Sequence, residues 1–122
     1  MKILVVDDEK LIRFTFERSF TKWGHSVVSA NSVQDALYSM RRMRFDVFVV
    51  DLELPDSSGL NVIKKIRSLN YTPEKVVVCS VTLDASLIKE LDAKGIKTLE
   101  KPFSLNQLRR IVHEDSASIP LN

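Results

Sequence analysis

Short runs of apolar residues, rich in valine and isoleucine, alternate along this chain with longer segments that have helical periodicity. Residues 3–6, 47–50 and 76–79 are continuously apolar, as expected of strands that are covered on both faces. Residues 26–29 are a further β-branched strand candidate, and residues 96–99 are a weaker fifth candidate. This order predicts right-handed βαβ units, and therefore an α/β fold in which a five-stranded parallel sheet has helices on both faces.

Five helices are predicted from the spacing of apolar residues and from residues typical of helix boundaries. In the first helix, Ile12, Phe16 and Phe20 recur at every fourth position and share one face. Glycine is typical of the position just after a helix, and serine of the position just before one. The predicted boundaries are marked by Gly24, Ser32, Gly59, Gly95 and Ser104, the last of which forms a capping box with Gln107.

The composition excludes several classes of protein. Lys and Arg total 18, and Asp and Glu total 16, so the net charge of +2 is too small to indicate nucleic-acid binding. The one basic cluster, Arg41, Arg42 and Arg44, is interpreted as a solvated helix end. The single cysteine, Cys79, excludes a disulfide framework and a cysteine-rich zinc site. No apolar run approaches the ~20 residues of a membrane span, and we expect a cytoplasmic location with no membrane contact.

The length of 122 residues is typical of one domain. We assign residues 1–115 to that domain. Residues 116–122 are assigned to a C-terminal tail, or to the start of a linker to an output domain outside this chain. Ser116, Ser118 and Pro120 are typical of such a segment.

Polar side chains follow four of the predicted strands, at the point where each strand ends. Asp7 and Asp8 follow the first strand, Asp51 the third, Ser80 the fourth and Lys101 the fifth. Because the carboxyl ends of parallel strands meet at one edge of the sheet, these side chains should converge there. Loop polarity explains any one of them, but not all of them together.

The chemistry of this cluster favours phosphoryl transfer. Carboxylates held close together repel one another, and a hard dication relieves that repulsion. Mg²⁺ prefers oxygen ligands and is typically held by one or two carboxylates together with a phosphate group. A carboxylate can also act as a nucleophile and form an acyl phosphate, while a lysine ammonium and a hydroxyl bind the phosphoryl oxygens. The cluster therefore fits a phosphorylatable aspartate with Mg²⁺.

Four motifs, in this order, resemble those of the receiver domain of two-component response regulators, the CheY-like superfamily. Residues 5–8 (VVDD) resemble the acidic pair of the family, and residues 50–59 (VDLELPDSSG) resemble its D-x-x-x-P-x-x-x-G segment. Ser80 resembles the switch hydroxyl, and residues 101–103 (KPF) resemble a segment with a cis peptide bond before the proline. The resemblance extends over residues 2 to about 114 and implies a flavodoxin-like, doubly wound (βα)5 fold.

The resemblance implies a role for each acidic residue. Asp51 is the implied phosphoacceptor, which takes a phosphoryl group from a histidine kinase in a Mg²⁺-dependent, self-catalysed step. Asp8, Asp51 and the backbone carbonyl of Glu53 are the implied ligands of Mg²⁺. Asp7 is implied to act through a bound water, and no organic cofactor is implied.

The resemblance also implies how the signal leaves the site. Lys101 is implied to pair with a phosphoryl oxygen. Ser80 is implied to move toward the phosphoryl group and to carry the change to the fourth helix and the fifth strand. By this resemblance the chain is a switch in a phosphorelay rather than an enzyme, because it catalyses only its own phosphorylation and slow dephosphorylation.

Exposed apolar residues indicate a docking surface. Leu11 and Phe14 form a second apolar stripe on the first helix. The resemblance implies that a sensor histidine kinase or a phosphotransfer protein docks there and near Phe103. It further implies an output domain or partner, DNA-binding in one alternative, and a homodimer on phosphorylation. Charged residues that could pair across that dimer, but are interpreted first as a solvated face, are Lys89, Glu90, Lys97, Arg109 and Arg110.

Three residues depart from the family pattern. Thr98 stands where the family usually has the aromatic residue of the switch, so the usual coupled movement of a hydroxyl and a ring is not available. Val81 replaces a smaller residue after the switch serine and could restrict access to the site. Glu53 places a carboxylate two residues after the phosphoacceptor, where it could repel a dianionic donor or orient water.

Two other functions stay open. An aspartate-nucleophile phosphohydrolase would use the same cluster, although its motif needs a second Asp at the position of Glu53. A degenerate receiver would act as a phosphorylation-independent binding module, although the retained cluster argues against it. Trp23 is interpreted as a packing residue. His25 and His113 have no second metal ligand at a useful spacing and are interpreted as ordinary surface or packing residues.

Overall fold

The computed structural model describes residues 1–113, in which strands and helices alternate as the sequence predicted. The elements are β1 (Lys2–Val6), α1 (Lys10–Lys22), β2 (Ser26–Ala30), α2 (Val33–Arg42), β3 (Val47–Asp51), α3 (Leu60–Arg67), β4 (Lys75–Ser80), α4 (Ala85–Ala93), β5 (Lys97–Glu100) and α5 (Leu105–His113). The predicted domain boundary at residue 115 and the predicted tail, residues 116–122, lie outside the described residues.

The strands form one parallel sheet in the order β2-β1-β3-β4-β5. The direction of winding reverses between β1 and β3, and ligands of doubly wound sheets usually bind at such a switch point. The register pairs Val6 with Val50 and Asp51 with Cys79, which brings the carboxyl ends of these strands level. The predicted flavodoxin-like fold is confirmed.

Side chains of the central strands alternate between two buried layers. On one face of the sheet, Leu4 and Val50 pack with apolar residues of α2, α3 and α4. On the other face, Ile3 and Val49 pack with residues of α1 and α5. Both faces are fully covered, which explains why these strands are continuously apolar.

Several helix boundaries have the predicted caps. The Ser32 hydroxyl accepts a hydrogen bond from the Asp35 amide at 3.1 Å, and Ser104 and Gln107 bond reciprocally as a capping box. Gly24 follows α1 with a φ of +91°, a conformation that residues with a Cβ rarely adopt. Within residues 1–113, no helix combines the length and the apolar character needed to cross a bilayer.

Candidate functional site

The polar residues at the strand ends converge at the carboxyl edge of the sheet, where the strands end. Asp7 and Asp8 follow β1, Asp51 ends β3, Ser80 ends β4 and Lys101 follows β5. Carboxylate oxygens of the three aspartates lie within 4.8 Å of one another. The side chains of Asp7 and Asp51 are buried and that of Asp8 is exposed, so the cluster is open to solvent on one side.

Lys101 bridges the two buried carboxylates. Its Nζ donates to Oδ2 of Asp7 at 2.9 Å and to Oδ2 of Asp51 at 3.0 Å. Oδ1 of Asp51 accepts a hydrogen bond from the Glu53 amide at 3.1 Å. Only 3% of Asp51 and 10% of the Lys101 side chain are exposed. The peptide bond between Lys101 and Pro102 is cis, as the resemblance implied.

The environment changes the pKa values of this group. Burial is the largest influence on the pKa of Asp51 and raises it from 3.8 to about 6, although hydrogen bonds from Lys101 and the Glu53 amide oppose the change. The charge of Asp7 raises the pKa of Asp51 further. Burial lowers the pKa of Lys101, but the hydrogen bonds and charges of the two carboxylates outweigh it, so this pKa lies above its ordinary value. Near neutral pH, Asp51 is therefore mostly ionised, but its surroundings stabilise the ionised form poorly.

Glu53 holds the hydroxyl of Ser80, a contact that the sequence did not predict. The Oγ of Ser80 donates to Oε2 of Glu53 at 2.7 Å, and the Val81 amide donates to Oε1 at 3.4 Å. The same Oγ accepts a hydrogen bond from the Thr82 amide at 3.0 Å. Glu53 therefore connects the end of β3 to the segment that follows β4. The only sequence signal was a carboxylate two residues after Asp51.

The segment after β3 returns against the end of that strand at Gly59. A Cβ at this position would lie 2.1 Å from the backbone oxygen of Asp51 and 3.0 Å from the Cα of Leu52. The Gly59 amide donates to the Leu52 carbonyl at 2.9 Å, which fixes this close approach. Glycine is required here for space. The sequence indicated Gly59 only as a helix boundary and as one letter of a motif.

Two charged side chains support the loops of the site, and sequence reasoning missed both. Asp56 accepts hydrogen bonds from the amides of Gln34 and Val33, each at 3.0 Å, so the loop after β3 caps α2. These bonds keep the pKa of Asp56 below its ordinary value. Arg13 donates through Nη1 to the backbone oxygen of Asp7 at 2.8 Å. Each contact joins different elements, so no local sequence pattern indicates it.

The residues expected to dock a partner or to restrict access lie around this edge. Leu11 and Phe14 are 75% and 53% exposed, which agrees with a surface stripe on α1. Phe103 is only partly exposed, because its ring stacks on Phe16 with a centroid separation of 5.7 Å. Val81 is 57% exposed and points away from the buried core.

At the amino edge, where the strands begin, the structure brings together two histidines whose contact the sequence did not indicate. His25 and His113 are not independent residues, because their Nε2 atoms lie 2.6 Å apart. They are 88 positions apart in sequence, and only the return of α5 along the sheet brings them together. Trp23 packs edge-on against His113, in agreement with its predicted packing role.

Known proteins with similar sequences include response regulators. The family model of the response regulator receiver domain matches residues 3–113. Response regulator MprA of Mycobacterium leprae is 34% identical over 108 residues, which cover 88% of this chain and 47% of that protein. Response regulator protein PilR of Pseudomonas aeruginosa is 34% identical over 112 residues, which cover 91% of this chain and 25% of that protein. The chain thus spans less than half the length of either relative.

A solved structure of a receiver domain is also similar to this chain. The chain is similar to a response regulator receiver domain (CheY-like) from Methylobacillus flagellatus, with a TM-score of 0.77 and 29% sequence identity. The similarity covers 92% of this chain and 95% of that one, so it includes the sheet and its helices.

Proposed function

This chain belongs to the response regulator receiver domain family of two-component systems, and from that premise we propose that Asp51 accepts a phosphoryl group in a Mg²⁺-dependent reaction. The observation that carries the proposal is the convergence of Asp7, Asp8, Asp51 and Lys101 at one edge of the sheet. The product is a phosphorylated form of the chain itself, so the reaction sets a signalling state.

The donor set of the cluster fits Mg²⁺. Its carboxylate oxygens lie within 4.8 Å of one another, and oxygen is the ligand atom that this ion prefers. We assign Asp8, Asp51 and the backbone oxygen of Glu53 as ligands. Asp7 is assigned a role through a bound water, since its Oδ2 already accepts a hydrogen bond from Lys101. The bound ion would neutralise charge on the phosphoryl oxygens.

Asp51 supplies the nucleophile. Its carboxylate is mostly ionised near neutral pH, because a pKa of about 6 lies below that pH. One carboxylate oxygen attacks the phosphorus of the donor, an O–P bond forms, and the bond to the leaving group breaks with its electron pair. Lys101 donates a hydrogen bond to Oδ2 of Asp51, and it can donate one to a phosphoryl oxygen instead. Slow attack by water on the acyl phosphate restores the carboxylate.

Ser80 is the switch hydroxyl in this proposal, and Glu53 is the acceptor that holds it before phosphorylation. A hydroxyl has one proton to donate, and Ser80 donates it to Glu53 at 2.7 Å. A phosphoryl group on Asp51 offers a competing anionic acceptor. Ser80 must leave Glu53 to reach it, and the Thr82 amide, which is bonded to Ser80, moves with the hydroxyl. Because Thr98 has no ring to move, the change travels through the segment between β4 and α4.

Partners of the chain are part of the same proposal. The exposed Leu11 and Phe14 are the proposed docking residues for a histidine kinase or phosphotransfer protein, and Phe103 contributes less surface than the sequence suggested. We also propose that the chain acts on an output domain or partner, which binds DNA in one alternative. Phosphorylation would further lead to a homodimer. The location that we propose is cytoplasmic, which agrees with the single buried thiol of Cys79.

The contact between Glu53 and Ser80 argues against the phosphohydrolase alternative. That class of enzyme needs an acid two residues after its nucleophile that is free to protonate a leaving group. Here the carboxylate at that position accepts the hydroxyl of Ser80 and the amide of Val81.

The experiment that tests the proposal is intact-protein mass spectrometry after incubation with a small-molecule phosphodonor, with and without Mg²⁺. We expect a Mg²⁺-dependent gain of one phosphoryl group in the chain and no gain in Asp51→Asn. Asp46→Asn is the matched control, because Asp46 lies at the amino edge, where its carboxylate accepts a hydrogen bond from the Lys2 amide. It should be labelled normally.

Equal labelling of Asp51→Asn would refute the site assignment. A chain that binds Mg²⁺ but gains no phosphoryl group would contradict the phosphoacceptor role. Neither labelling nor metal binding would favour the phosphorylation-independent binding module instead.

A further inference from the structure

The ring nitrogens of the two histidines at the amino edge lie within hydrogen-bonding distance of each other. Their Nε2 atoms are 2.6 Å apart, and their ring planes are inclined by only 23°. Atoms of stacked rings approach to about 3.5 Å, so His25 and His113 meet through their nitrogen tips rather than through their faces. At this distance a hydrogen bond joins the two rings.

The neighbours of the pair determine where the other protons lie. The Arg109 backbone oxygen is 2.9 Å from Nδ1 of His113 and can only accept, so this Nδ1 carries a proton. Nε2 of neutral His113 then has a lone pair, and His25 must donate its Nε2–H to it. Nδ1 of His25 faces the Met1 amine, a donor, at 3.1 Å. One arrangement satisfies every contact: two neutral rings with one bridging proton.

Burial and nearby positive charge disfavour an additional proton on His25. Burial is the largest influence that lowers the pKa of His25, followed by the charges of the Met1 amine and of His113. From α5, the Arg109 guanidinium lies over the ring of Trp23, which packs against His113. Within residues 1–113, no carboxylate forms an ion pair with either imidazole.

We propose that His25 and His113 form a proton-operated clasp, which fastens the last turn of α5 to the turn between α1 and β2 and opens on acidification. One bridging proton closes the clasp. A second proton, added at Nε2 of His113, leaves a donor on both Nε2 atoms and places a positive charge near that of the Met1 amine, so the bond is lost.

The clasp lies at the end of the domain, on the edge opposite the phosphoacceptor. His113 ends α5 and is also the last residue that the family model matches. On the other side, Gly24 turns the chain and the His25 amide bonds to the Phe20 carbonyl at 2.9 Å, which fixes the imidazole at the start of β2. Lys75 donates to the Val112 carbonyl at 3.2 Å and provides a second tether. Opening the clasp therefore loosens the last turn of α5 and leaves the rest of the helix packed.

The test is amide hydrogen exchange of the chain, followed by NMR at about pH 7.5 and about pH 5.5 and corrected for the intrinsic rate at each pH. We expect protection in the last turn of α5 to fall about fivefold at the lower pH, as for the loss of one ordinary hydrogen bond. Protection in β1 and β3 should stay constant. His25→Gln should show low protection in that turn at both pH values, and so should His113→Gln. Lys22→Gln removes a nearby exposed cation and should keep the response of the unmodified chain.

An equal pH-dependent fall in His25→Gln and in the unmodified chain would overturn the proposal. Imidazole nitrogen shifts that show two independently titrating rings would also overturn it. One equivalent of Zn²⁺ at about pH 7.5 gives a further outcome. If Zn²⁺ binds both imidazoles and protects the last turn of α5 more than the proton does, the pair is a metal site instead of a clasp.

Discussion

The two edges of the sheet accommodate charge in opposite ways. At the carboxyl edge, Asp7, Asp51 and Lys101 are packed together with little access to water, and burial disfavours the charge of Asp51. At the amino edge, cations such as Arg41 and Arg42 lie exposed in the last turns of helices. Positive charge at a helix C-terminus is favourable, because it complements the helix dipole.

This difference shows at which edge of the sheet the folded protein holds charges that are poorly stabilised. Both edges are made by the same alternation of strands and helices, so the fold alone does not distinguish them. Solvent and helix ends stabilise the charges of the amino edge. At the carboxyl edge, two buried carboxylates share one ammonium, and an exposed third lies beside them. Among residues 1–113, unfavourable charge is thus retained at the edge where we propose that a divalent cation binds.

The largest expected effect is that of Gly59→Ala. The new Cβ would lie 2.1 Å from the backbone oxygen of Asp51, so the end of β3 must move. We expect the free energy of unfolding to fall by about 1–3 kcal/mol. Phosphorylation should fall by about 100-fold or more, because the nucleophile is misplaced. Chemical denaturation and the rate of phosphorylation by a small donor measure the two effects.

Gly24→Ala is the matched control at the amino edge. Its Cβ would meet no atom within 4 Å, but the φ of +91° is unfavourable for alanine. We expect a loss of about 1–2 kcal/mol in the free energy of unfolding and an unchanged rate of phosphorylation. The distinction between the edges fails if the two variants lose phosphorylation equally.

The second prediction concerns pH in the absence of divalent cations. Folding raises the pKa of Asp51 from 3.8 to about 6, so the folded state holds this proton more tightly than the unfolded state. The resulting stabilisation is complete below about pH 4 and is lost as the pH rises through about 6. At most about 3 kcal/mol of the free energy of unfolding depends on this group.

Asp51→Asn isolates that contribution, because every other titrating group is common to both proteins. The difference in free energy of unfolding between the two proteins should shift in favour of Asp51→Asn as the pH rises from about 4 to about 7. If the free energies of unfolding of the two proteins changed in parallel with pH, ionised Asp51 would not destabilise the folded state.

The third prediction separates two roles of Glu53. In Glu53→Ala the Ser80 hydroxyl loses its acceptor, so we expect phosphorylation by a small donor to become about tenfold faster. In Glu53→Gln the charge is lost but an acceptor remains, so the increase should be about threefold. Equal rates for the two variants would assign the effect to charge repulsion, rather than to the hydrogen bond that holds Ser80.

The smallest effect is expected for an ion pair of the amino edge. Lys94 and Glu90 are 3.8 Å apart, and their side chains are 44% and 63% exposed. We expect Glu90→Gln to change the free energy of unfolding by less than about 0.5 kcal/mol, with normal phosphorylation. A larger loss of free energy of unfolding, measured by denaturation, would show that this exposed ion pair contributes appreciably to stability.

The carboxyl edge could be predicted from the sequence because Asp7, Asp51 and Ser80 directly follow apolar runs, and Lys101 follows the weaker fifth strand. The runs of β1, β3 and β4 fix where those strands end, and parallel pairing places the next residues at one edge. Asp51, Ser80 and Lys101 were located in this way. Their detailed roles rest on the family resemblance.

Contacts between side chains of different elements could not be predicted. The bond from Ser80 to Glu53 depends on the register of β3 with β4, and the histidine contact depends on the length of α5 and on the turn at Gly24. The apolar pattern of α4 also gave no measure of burial, because Ile88 is 39% exposed while Leu91 is buried. Each of these features is determined by packing between elements rather than by local sequence.

The central claim is that the carboxyl edge retains unfavourable charge that Mg²⁺ relieves. The most direct test is the Tm of the chain and of Asp51→Asn at about pH 7.5, with a chelator and then with Mg²⁺. We predict that Asp51→Asn melts at the higher temperature without the cation, and that Mg²⁺ raises the Tm of the unmodified chain much more than that of the variant. The claim is contradicted if Asp51→Asn melts at the lower temperature without the cation, or if Mg²⁺ leaves the unmodified chain unchanged.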